Sequence, residues 1–215
     1  MTDNNLLKRI ATSLVLILIL LSMFISSKMM MLSIITVSII ALYEFSMLLF
    51  KILKKKILRY LFNFLAFLYL IIFVLIIFFV EFFQQFSYLP KLYFFYSILV
   101  SVCSDIGGFV VGKIFKGKKL TKISPNKTIS GAIGSFIFSL LLIPLFINIF
   151  VIIDLNFLIA ITLIISLISQ LGDIFISYLK RRANVKDTGK ILPGHGGILD
   201  RIDGIVFAVP IGLLL

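Results

Sequence analysis

The chain alternates between long apolar runs and short polar connections. Six apolar runs come close to the roughly 20 residues that a helix needs to cross the hydrocarbon core of a bilayer. The seventh run, 202–215, is shorter, and its length fits either a short, tilted span or a helix that stops part-way. The pattern predicts an all-α, polytopic transmembrane helical bundle with about seven spans. The six long runs are 10–25, 29–50, 58–83, 89–112, 129–153 and 157–179.

Positive charges divide the polar connections into two sets. Of the 21 lysine and arginine residues, all but Lys28 and Lys91 lie at the N-terminus or in every second connection after it. Short cytosolic loops of membrane proteins are enriched in lysine and arginine. The distribution therefore predicts a cytosolic N-terminus, with the loops 51–59, 113–128 and 180–201 on the same side of the bilayer.

The composition is that of a membrane protein and limits the classes of partner that it could bind. The chain has 215 residues, 61% of them hydrophobic, and a mean hydropathy of +1.19. We predict one integral-membrane catalytic domain, 1–215, in which 1–88 supplies the N-terminal spans and 89–215 the catalytic spans and cytosolic loops. In so apolar a chain, the net charge of +12 favours anionic lipid headgroups and a phosphorylated substrate, and we expect no nucleic-acid partner.

Apart from Glu81, near the end of the third run, three acidic residues fall inside predicted spans: Glu44, Asp105 and Asp173. A carboxylate within a transmembrane helix costs roughly 2.5–3.5 kcal/mol, so it usually faces other protein groups or a wet cavity. Glu44 lies near the cytosolic end of its span, where packing and support of a site fit equally well. Gly107 and Gly108 follow Asp105 and would permit close helix packing. Packing does not explain the acid itself, so we favour a site role for Asp105.

The segment 173–203 concentrates the polar chemistry of the chain, including four of its nine acidic residues. In its first part, three polar residues follow Asp173 at distances of four, seven and eight positions, which places all four on one face of a helix. This face is predicted to present a carboxylate, a hydroxyl and two cations where the helix leaves the membrane. Its residues are Asp173, Ser177, Lys180 and Arg181.

The end of the same segment suggests a metal site. Asp200 and Asp203 are three residues apart, so on a helix their carboxylates face the same way. Together with Asp173 they form a set of hard oxygen ligands that suits Mg²⁺, which typically takes one or two carboxylates plus substrate phosphates. The single histidine, His195, and the single cysteine, Cys103, make a zinc site implausible.

Two glycine- and serine-containing loops could bind phosphate. In the turn 193–197, PGHGG, Gly196 and Gly197 bring backbone N–H groups within reach of a phosphate, and the same glycines fit a sharp turn back into the membrane. Before the fifth span, Thr128 or Ser130 could cap the helix, and the nearby lysine makes a helix N-terminus a ready anion site. Carboxylates for a metal and cations for phosphates, beside a bilayer, predict phosphoryl or nucleotidyl transfer onto a lipid.

These motifs resemble those of the phosphatidate cytidylyltransferases, also called CDP-diacylglycerol synthases. The hallmark segment of that family is similar to three stretches of this chain with their spacing kept: 177–181 (SYLKR), 186–187 (KD) and 192–203 (LPGHGGILDRID). A second motif of the family resembles 105–108 and 124–128 with the basic linker between them, and the opening pair of spans, ending at 43–45 (YEF), is similar as well.

The resemblance implies a reaction, a cofactor and partners. The family joins CTP and phosphatidic acid to give CDP-diacylglycerol and pyrophosphate. Its members are multi-span proteins of the inner membrane and occur as dimers, which implies a homodimer at the bacterial inner membrane with the active site at the cytosolic face. Their site is a di-metal centre with Mg²⁺, held by acids at positions that match Asp173 and Asp200, and Asp203 belongs to the same motif.

Further roles follow as expectations from the resemblance. The catalytic residues are expected to be Asp173, Asp200, Asp203, Lys180 and Arg181. The substrate-binding residues are expected to be Asp105, Ser124, Lys127, Ser177, Lys186, Asp187, His195, Gly196, Gly197 and Arg201. Within these sets, the lysines and arginines would bind the triphosphate or the phosphatidate headgroup, and His195 with its glycines would line the nucleotide phosphates. The substrate's own ionised phosphate would be the nucleophile, so no strong general base is required.

Two other functions remain open to the sequence. One is a CTP-dependent lipid-alcohol kinase of the dolichol or phytol kinase type, against which the long match around PGHGGILDRID argues. The other is a transporter or non-catalytic membrane scaffold. The product separates the first from the synthase, since a synthase places cytidine in the lipid and a kinase transfers only the terminal phosphate of CTP.

Overall fold

The fold is built from α-helices. The structure, a computed structural model, describes residues 3–83, 89–121, 124, 127–150 and 154–213. In these ranges only helices are regular elements, and the predicted all-α class is confirmed. The nine helices of the described chain are α1 (Asp3–Ile25), α2 (Ser27–Ile52), α3 (Lys56–Phe83), α4 (Leu89–Phe115), α5 (Ile129–Leu140), α6 (Ile143–Phe146), α7 (Leu155–Arg182), α8 (Leu199–Ile202) and α9 (Ile205–Gly212).

Six segments of the described chain are long and apolar enough to cross a membrane, judged by length and composition. They coincide with the six long apolar runs, so the predicted polytopic helical membrane protein is confirmed. The segments are Leu7–Ile25, Ser27–Ile52, Lys56–Phe79, Lys91–Phe115, Ile129–Phe146 and Leu155–Arg182.

Two of the predicted runs differ from a simple span. The run 129–153 is interrupted after Leu140, and Pro144 lies in the first turn of the short helix that follows, where proline is tolerated; residues 151–153 lie outside the described residues. In the seventh run, α9 has eight residues, about 12 Å at the rise of an α-helix. That is much shorter than the roughly 30 Å hydrocarbon core, so the predicted seventh span stays a prediction.

The chain divides into two compact units. The first consists of Met1–Glu81 and Leu179–Ile202, and the second of Phe82–Tyr178 and Asp203–Leu215. In the first unit, α2 contacts α1 and α8, and in the second, α4 contacts α5 and α9. The segment Leu179–Ile202 therefore belongs to the same unit as the N-terminal helices. Local sequence patterns do not predict this, because the two parts are far apart in the chain.

Glycines allow α4 and α5 to approach closely in the second unit. A Cβ atom at Gly134 of α5 would collide with the side chain of Val111 and the carbonyl oxygen of Gly107, both on α4. A Cβ atom at Gly131 would lie 2.7 Å from the carbonyl oxygen of Gly108. Small residues at such an interface let two membrane helices pack backbone to backbone, as the glycines after Asp105 suggested.

The Gly134→Ala substitution tests this packing. Alanine is the better helix former by about 1 kcal/mol, but its methyl group has no room against α4. We expect a net loss of about 1–3 kcal/mol of stability, the usual cost of overpacking, seen as a lower Tm in detergent. Ile133→Ala, on the exposed face of the same helix, is the control that keeps the Tm. An unchanged Tm for Gly134→Ala would contradict the close packing.

Candidate functional site

A cavity in the second unit collects several of the predicted site residues. Its volume is about 300 Å³, and α4, the connection before α5, α5 and α7 all contribute to its wall. Gly108 and Gly131, where α4 and α5 pack closely, lie on this wall. Its polar lining residues are Asp105, Ser124, Lys127, Thr128, Ser135, Gln170 and Asp173.

An ion pair forms one side of this cavity. The Lys127 ammonium contacts the Asp173 carboxylate, and each side chain is 25% exposed. The Ser177 hydroxyl donates to Asp173 Oδ1 over 3.3 Å, so two residues of the predicted helical face are in contact. Asp105 is exposed and lies on the same cavity wall. The cavity thus combines two carboxylates with one cation, in a volume that a phosphate group could enter.

The position of Lys127 follows from the start of α5. Thr128 is the N-cap residue, and its hydroxyl accepts from the backbone N–H of Gly131 over 3.0 Å. One of the two predicted caps is therefore confirmed. The cap fixes the first turn of the helix, whose N-terminus carries partial positive charge. Lys127 adds a full positive charge at this place beside the cavity, which makes it electrostatically suited to an anion.

A second polar cluster lies in the first unit, around Asp200. The Lys180 ammonium donates to Asp200 Oδ1 over 2.7 Å, and the two side chains are only 16% and 6% exposed. The other oxygen, Oδ2, accepts from the backbone N–H groups of Thr188 (2.8 Å) and Gly197 (3.0 Å) and contacts the Thr188 hydroxyl (3.0 Å). Four donor groups, all from its own unit, therefore surround the Asp200 carboxylate, and one of them, the Thr188 hydroxyl, shares its single proton with Glu44.

These contacts change the acidity of Asp200. Burial alone would raise its pKa, but hydrogen bonds from Lys180, Thr188 and Gly197 and the charge of Lys180 outweigh burial, and the pKa is lowered from its ordinary value. A carboxylate with a lowered pKa in the folded state stabilises the protein above the pKa of the unfolded chain, which is about 3.9 for aspartate. This stabilisation is lost as the pH falls through the lower, folded pKa.

We therefore expect a specific pH dependence of unfolding. The difference in Tm between the unmodified protein and Asp200→Asn should be constant above about pH 5 and should shrink as the pH falls below about 4, because the ionised form is then lost. Thermal unfolding in detergent and EDTA between pH 3 and 7 measures the difference. A difference that grows on acidification would contradict the lowered pKa.

The PGHGG turn is tied to α1 rather than left open. The ring of His195 contacts the Thr12 hydroxyl at Nδ1 (2.8 Å) and the Ser13 hydroxyl at Nε2 (3.5 Å). Arg9 donates to the carbonyl oxygen of Gly194 over 3.1 Å, and Arg201 donates to the carbonyl oxygen of His195 over 2.7 Å. Both ring nitrogens of the only histidine thus have partners within the protein, and its predicted phosphate contact stays a prediction.

The glycines of the turn have backbone and packing roles in the structure. Gly194 and Gly196 have φ angles of 77° and 87°, a left-handed conformation that favours glycine. A Cβ atom at Gly196 would meet the Asp200 carboxylate, and one at Gly197 would collide with Thr188 and Glu44. The sharp turn that the sequence allowed is therefore present, and phosphate binding by the same glycines stays a prediction.

The remaining predicted residues are Asp203, Arg181, Lys186 and Asp187, of which Asp187 lies against Gly196 of the turn. Asp203 is buried, and its Oδ1 accepts from the backbone N–H of Gly204 over 3.0 Å. Its carbonyl oxygen lies against Gly172, next to Asp173 in the chain. Arg181, Lys186 and Asp187 are exposed, so they are accessible to a ligand.

Whether the site could bind a metal ion depends on how its carboxylates are arranged. In the described part of the chain, no three acidic, histidine or cysteine residues are grouped closely enough to hold a metal ion. Mg²⁺ needs only one or two protein carboxylates when substrate phosphates complete its coordination, and Asp105 and Asp173 on one cavity wall meet that requirement. The predicted set Asp173, Asp200 and Asp203 stays a prediction: Asp173 lies on the cavity wall, Asp200 in the second cluster, and Asp203 beside Gly172.

Two residues at the second cluster were not among the predicted site residues. Glu44, whose role the sequence left open, is 1% exposed and contacts the loop that leads to Asp200. Thr188 contacts both Glu44 and Asp200. An acid inside an apolar span, even near its cytosolic end, was a signal for Glu44. Nothing in the local pattern marked Thr188, because its importance comes from contacts with residues far away in the chain.

Comparison with known proteins identifies the family. A family model described as the cytidylyltransferase family matches residues 8–215. The chain is 46% identical over 122 residues to a protein named phosphatidate cytidylyltransferase from Staphylococcus haemolyticus, and 47% identical over 122 residues to a protein of the same name from Staphylococcus aureus. Each alignment covers 55% of this chain and 46% of the relative, so the matched part is about half the length of these relatives. Because the family model extends over nearly all of its residues, the chain belongs to the cytidylyltransferase family.

Proposed function

We propose that the protein transfers a cytidylyl group from CTP to phosphatidic acid, giving CDP-diacylglycerol and pyrophosphate. The observation that carries the proposal is the 46–47% identity to proteins named phosphatidate cytidylyltransferase. The geometry agrees with it, since a cavity lined by two carboxylates and one cation occurs in a chain whose described part has six apolar helices long enough to cross a membrane. Such a chain can present polar groups to a lipid headgroup while its apolar helices remain in the bilayer.

The residues of the chain would contribute positioning and charge. Lys127 at the start of α5 would bind a phosphate, and its contact with Asp173 keeps the ammonium directed at the cavity. The attacking group would be the phosphate oxygen of phosphatidic acid, already ionised at neutral pH. Mg²⁺, when held by Asp173 with Asp105 or with the predicted Asp200 and Asp203, would neutralise charge on the transferring phosphorus and on the leaving pyrophosphate.

Location and assembly belong to the same proposal. The charge distribution along the chain supports a cytosolic N-terminus and a site at the cytosolic face of a bacterial inner membrane. The soluble nucleotide would then reach the site from the cytosol and the lipid from the bilayer. We also propose a homodimer, as the resemblance implies.

The product of the reaction tests the proposal. Purified protein in mixed micelles is supplied with phosphatidic acid, Mg²⁺ and CTP that carries label either in the cytidine or in the terminal phosphate. We expect label from cytidine in the lipid fraction and label from the terminal phosphate in pyrophosphate. Transfer of the terminal phosphate alone would show a lipid kinase, and no transfer of either label would contradict an enzymatic role.

Removal of the divalent cation is a second measurement on the same preparation. With EDTA in excess, we expect cytidylyl transfer to fall to background, because the charge on the triphosphate is no longer neutralised. Restoring free Mg²⁺ should restore the rate. Transfer that continues in EDTA would contradict the proposed cofactor without contradicting the proposed product.

A further inference from the structure

Glu44 is a buried acid whose partners are all donors. Its side chain on α2 is 1% exposed. Oε1 accepts from the backbone N–H of Ile198 over 3.1 Å, and Oε2 accepts from the backbone N–H of Leu199 over 2.8 Å and from the Thr188 hydroxyl over 2.9 Å. Every partner belongs to the first unit and lies about 150 residues further along the chain, at sequence separations of 144 to 155.

Glycines of the loop leave room for this carboxylate. A Cβ atom at Gly189 or at Gly197 would collide with the Glu44 carboxylate. The loop therefore closes around Glu44 from both sides, since Gly189 follows Thr188 and Gly197 precedes Ile198. A carboxylate that accepts several hydrogen bonds inside a protein holds its donors in place, because each buried donor left without an acceptor costs about 1–3 kcal/mol.

Thr188 connects Glu44 to Asp200. Its hydroxyl lies 2.9 Å from Glu44 Oε2 and 3.0 Å from Asp200 Oδ2, and its backbone N–H donates to the same Asp200 oxygen over 2.8 Å. Gly197, packed against Glu44, also donates to that oxygen. Three of the four groups that hold Asp200 thus belong to residues that Glu44 contacts, and Lys180 supplies the fourth, which is the charged one.

We propose that Glu44 is a positioning residue, which fixes the direction of the Asp200 carboxylate through Thr188 and Gly197. The inference rests on the proposed function, in which Asp200 acts in cytidylyl transfer. Glu44 itself lies behind the loop and touches no substrate. Its action on the reaction is indirect, and loss of its carboxylate leaves Asp200 bound to Lys180 but free to rotate about that contact.

Kinetics of four variants test the proposal. In Glu44→Gln an amide N–H₂ group faces backbone donors, and in Thr188→Val the hydroxyl is lost while the shape is kept. We expect each to lower kcat by about 10–100-fold, the usual cost of changing a residue that orients a functional side chain, with KM for CTP changed less than about threefold. Thr188→Ser, which keeps the hydroxyl, should retain most of kcat. The double variant Glu44→Gln/Thr188→Val should have about the same kcat as the slower of its two single variants, because both substitutions break the same connection from Glu44 through Thr188 to Asp200.

Matched controls separate positioning from folding. Asp154→Asn makes the same carboxylate-to-amide change at the N-terminus of α7, and Thr36→Val removes a hydroxyl that contacts only its own helix, α2. Both should keep kcat. Rates are normalised to the protein that elutes as a folded species on size exclusion. Full kcat in Thr188→Val, strictly additive losses in the double variant, or equal losses in Thr188→Ser and Thr188→Val would overturn the proposal.

Hydrogen exchange supplies a readout that does not depend on the reaction. The Gly197 amide donates to Asp200 and not to Glu44, so faster exchange of this amide in Glu44→Gln, without substrate, reports that the Asp200 contact has loosened. Unchanged exchange at Gly197 would overturn the positioning role. An unmodified protein that transfers no cytidylyl group would instead contradict the proposed function, whatever the exchange result.

Discussion

Asp173→Asn is expected to lower kcat about 1,000-fold, which corresponds to about 4 kcal/mol of transition-state stabilisation. The substitution keeps the shape of the side chain and removes its charge. Lys127 would lose the anion that directs it at the cavity, and the predicted metal would lose a ligand. Because both side chains are 25% exposed, water can solvate the remaining ammonium, and we expect the protein to fold.

The measurement is steady-state cytidylyl transfer with saturating CTP and phosphatidic acid, compared with the Tm of the same preparation. Asp154→Asn is the matched control, since Asp154 caps α7 through backbone contacts that asparagine can also make. A normal Tm with lost activity confirms the prediction. Activity of Asp173→Asn within about threefold of the unmodified protein would remove Asp173 from the catalytic residues.

Lys180→Met is expected to lower stability as well as activity. Methionine keeps the apolar stem but leaves the Asp200 carboxylate, 6% exposed, with neutral donors only. Removing one partner of a fully buried ion pair costs about 3–5 kcal/mol, and because Lys180 is 16% exposed we expect about 2–3 kcal/mol here. Thermal or denaturant unfolding in detergent measures the loss.

Two further variants identify the cause of this loss of stability. Lys180→Arg keeps the positive charge and should recover much of the stability, although the larger guanidinium has different geometry. Lys190→Met removes a charge from an exposed residue of the same loop and should leave the Tm unchanged. If Lys180→Met and Lys190→Met had the same Tm as the unmodified protein, the ion pair would contribute nothing to stability.

The predicted ends of the helices show how far local patterns reach. The start of α5 was predicted from Thr128 before an apolar run, and the structure has that cap. The same run was predicted as one span; 129–146 is long and apolar enough to be one, but its helix is interrupted after Leu140, close to Pro144. Local chemistry fixes such ends when one residue satisfies the backbone groups next to it, and apolar composition alone does not reveal a break inside a run.

The structure groups the predicted site residues partly differently from the sequence pattern. Asp105, Ser124, Lys127 and Asp173 share the cavity, as site residues should. Asp200 pairs with Lys180, however, although the sequence placed Lys180 on one face with Asp173. Lys180 lies seven residues beyond Asp173, about 10 Å along a helix, and a long side chain can turn to an acid that another segment brings near.

By itself, the sequence determined that this is a helical membrane protein with six long apolar helices and the motifs of a cytidylyltransferase, because hydropathy, helix caps and motif spacing are properties of neighbouring residues. Only the tertiary structure decided which acids Lys127 and Lys180 contact, and that Glu44 lies beneath the loop that holds Asp200. Those contacts join residues as far as 155 positions apart. The chain folds to bring them together because a buried acid must find donors, and the sequence does not say which donors those are.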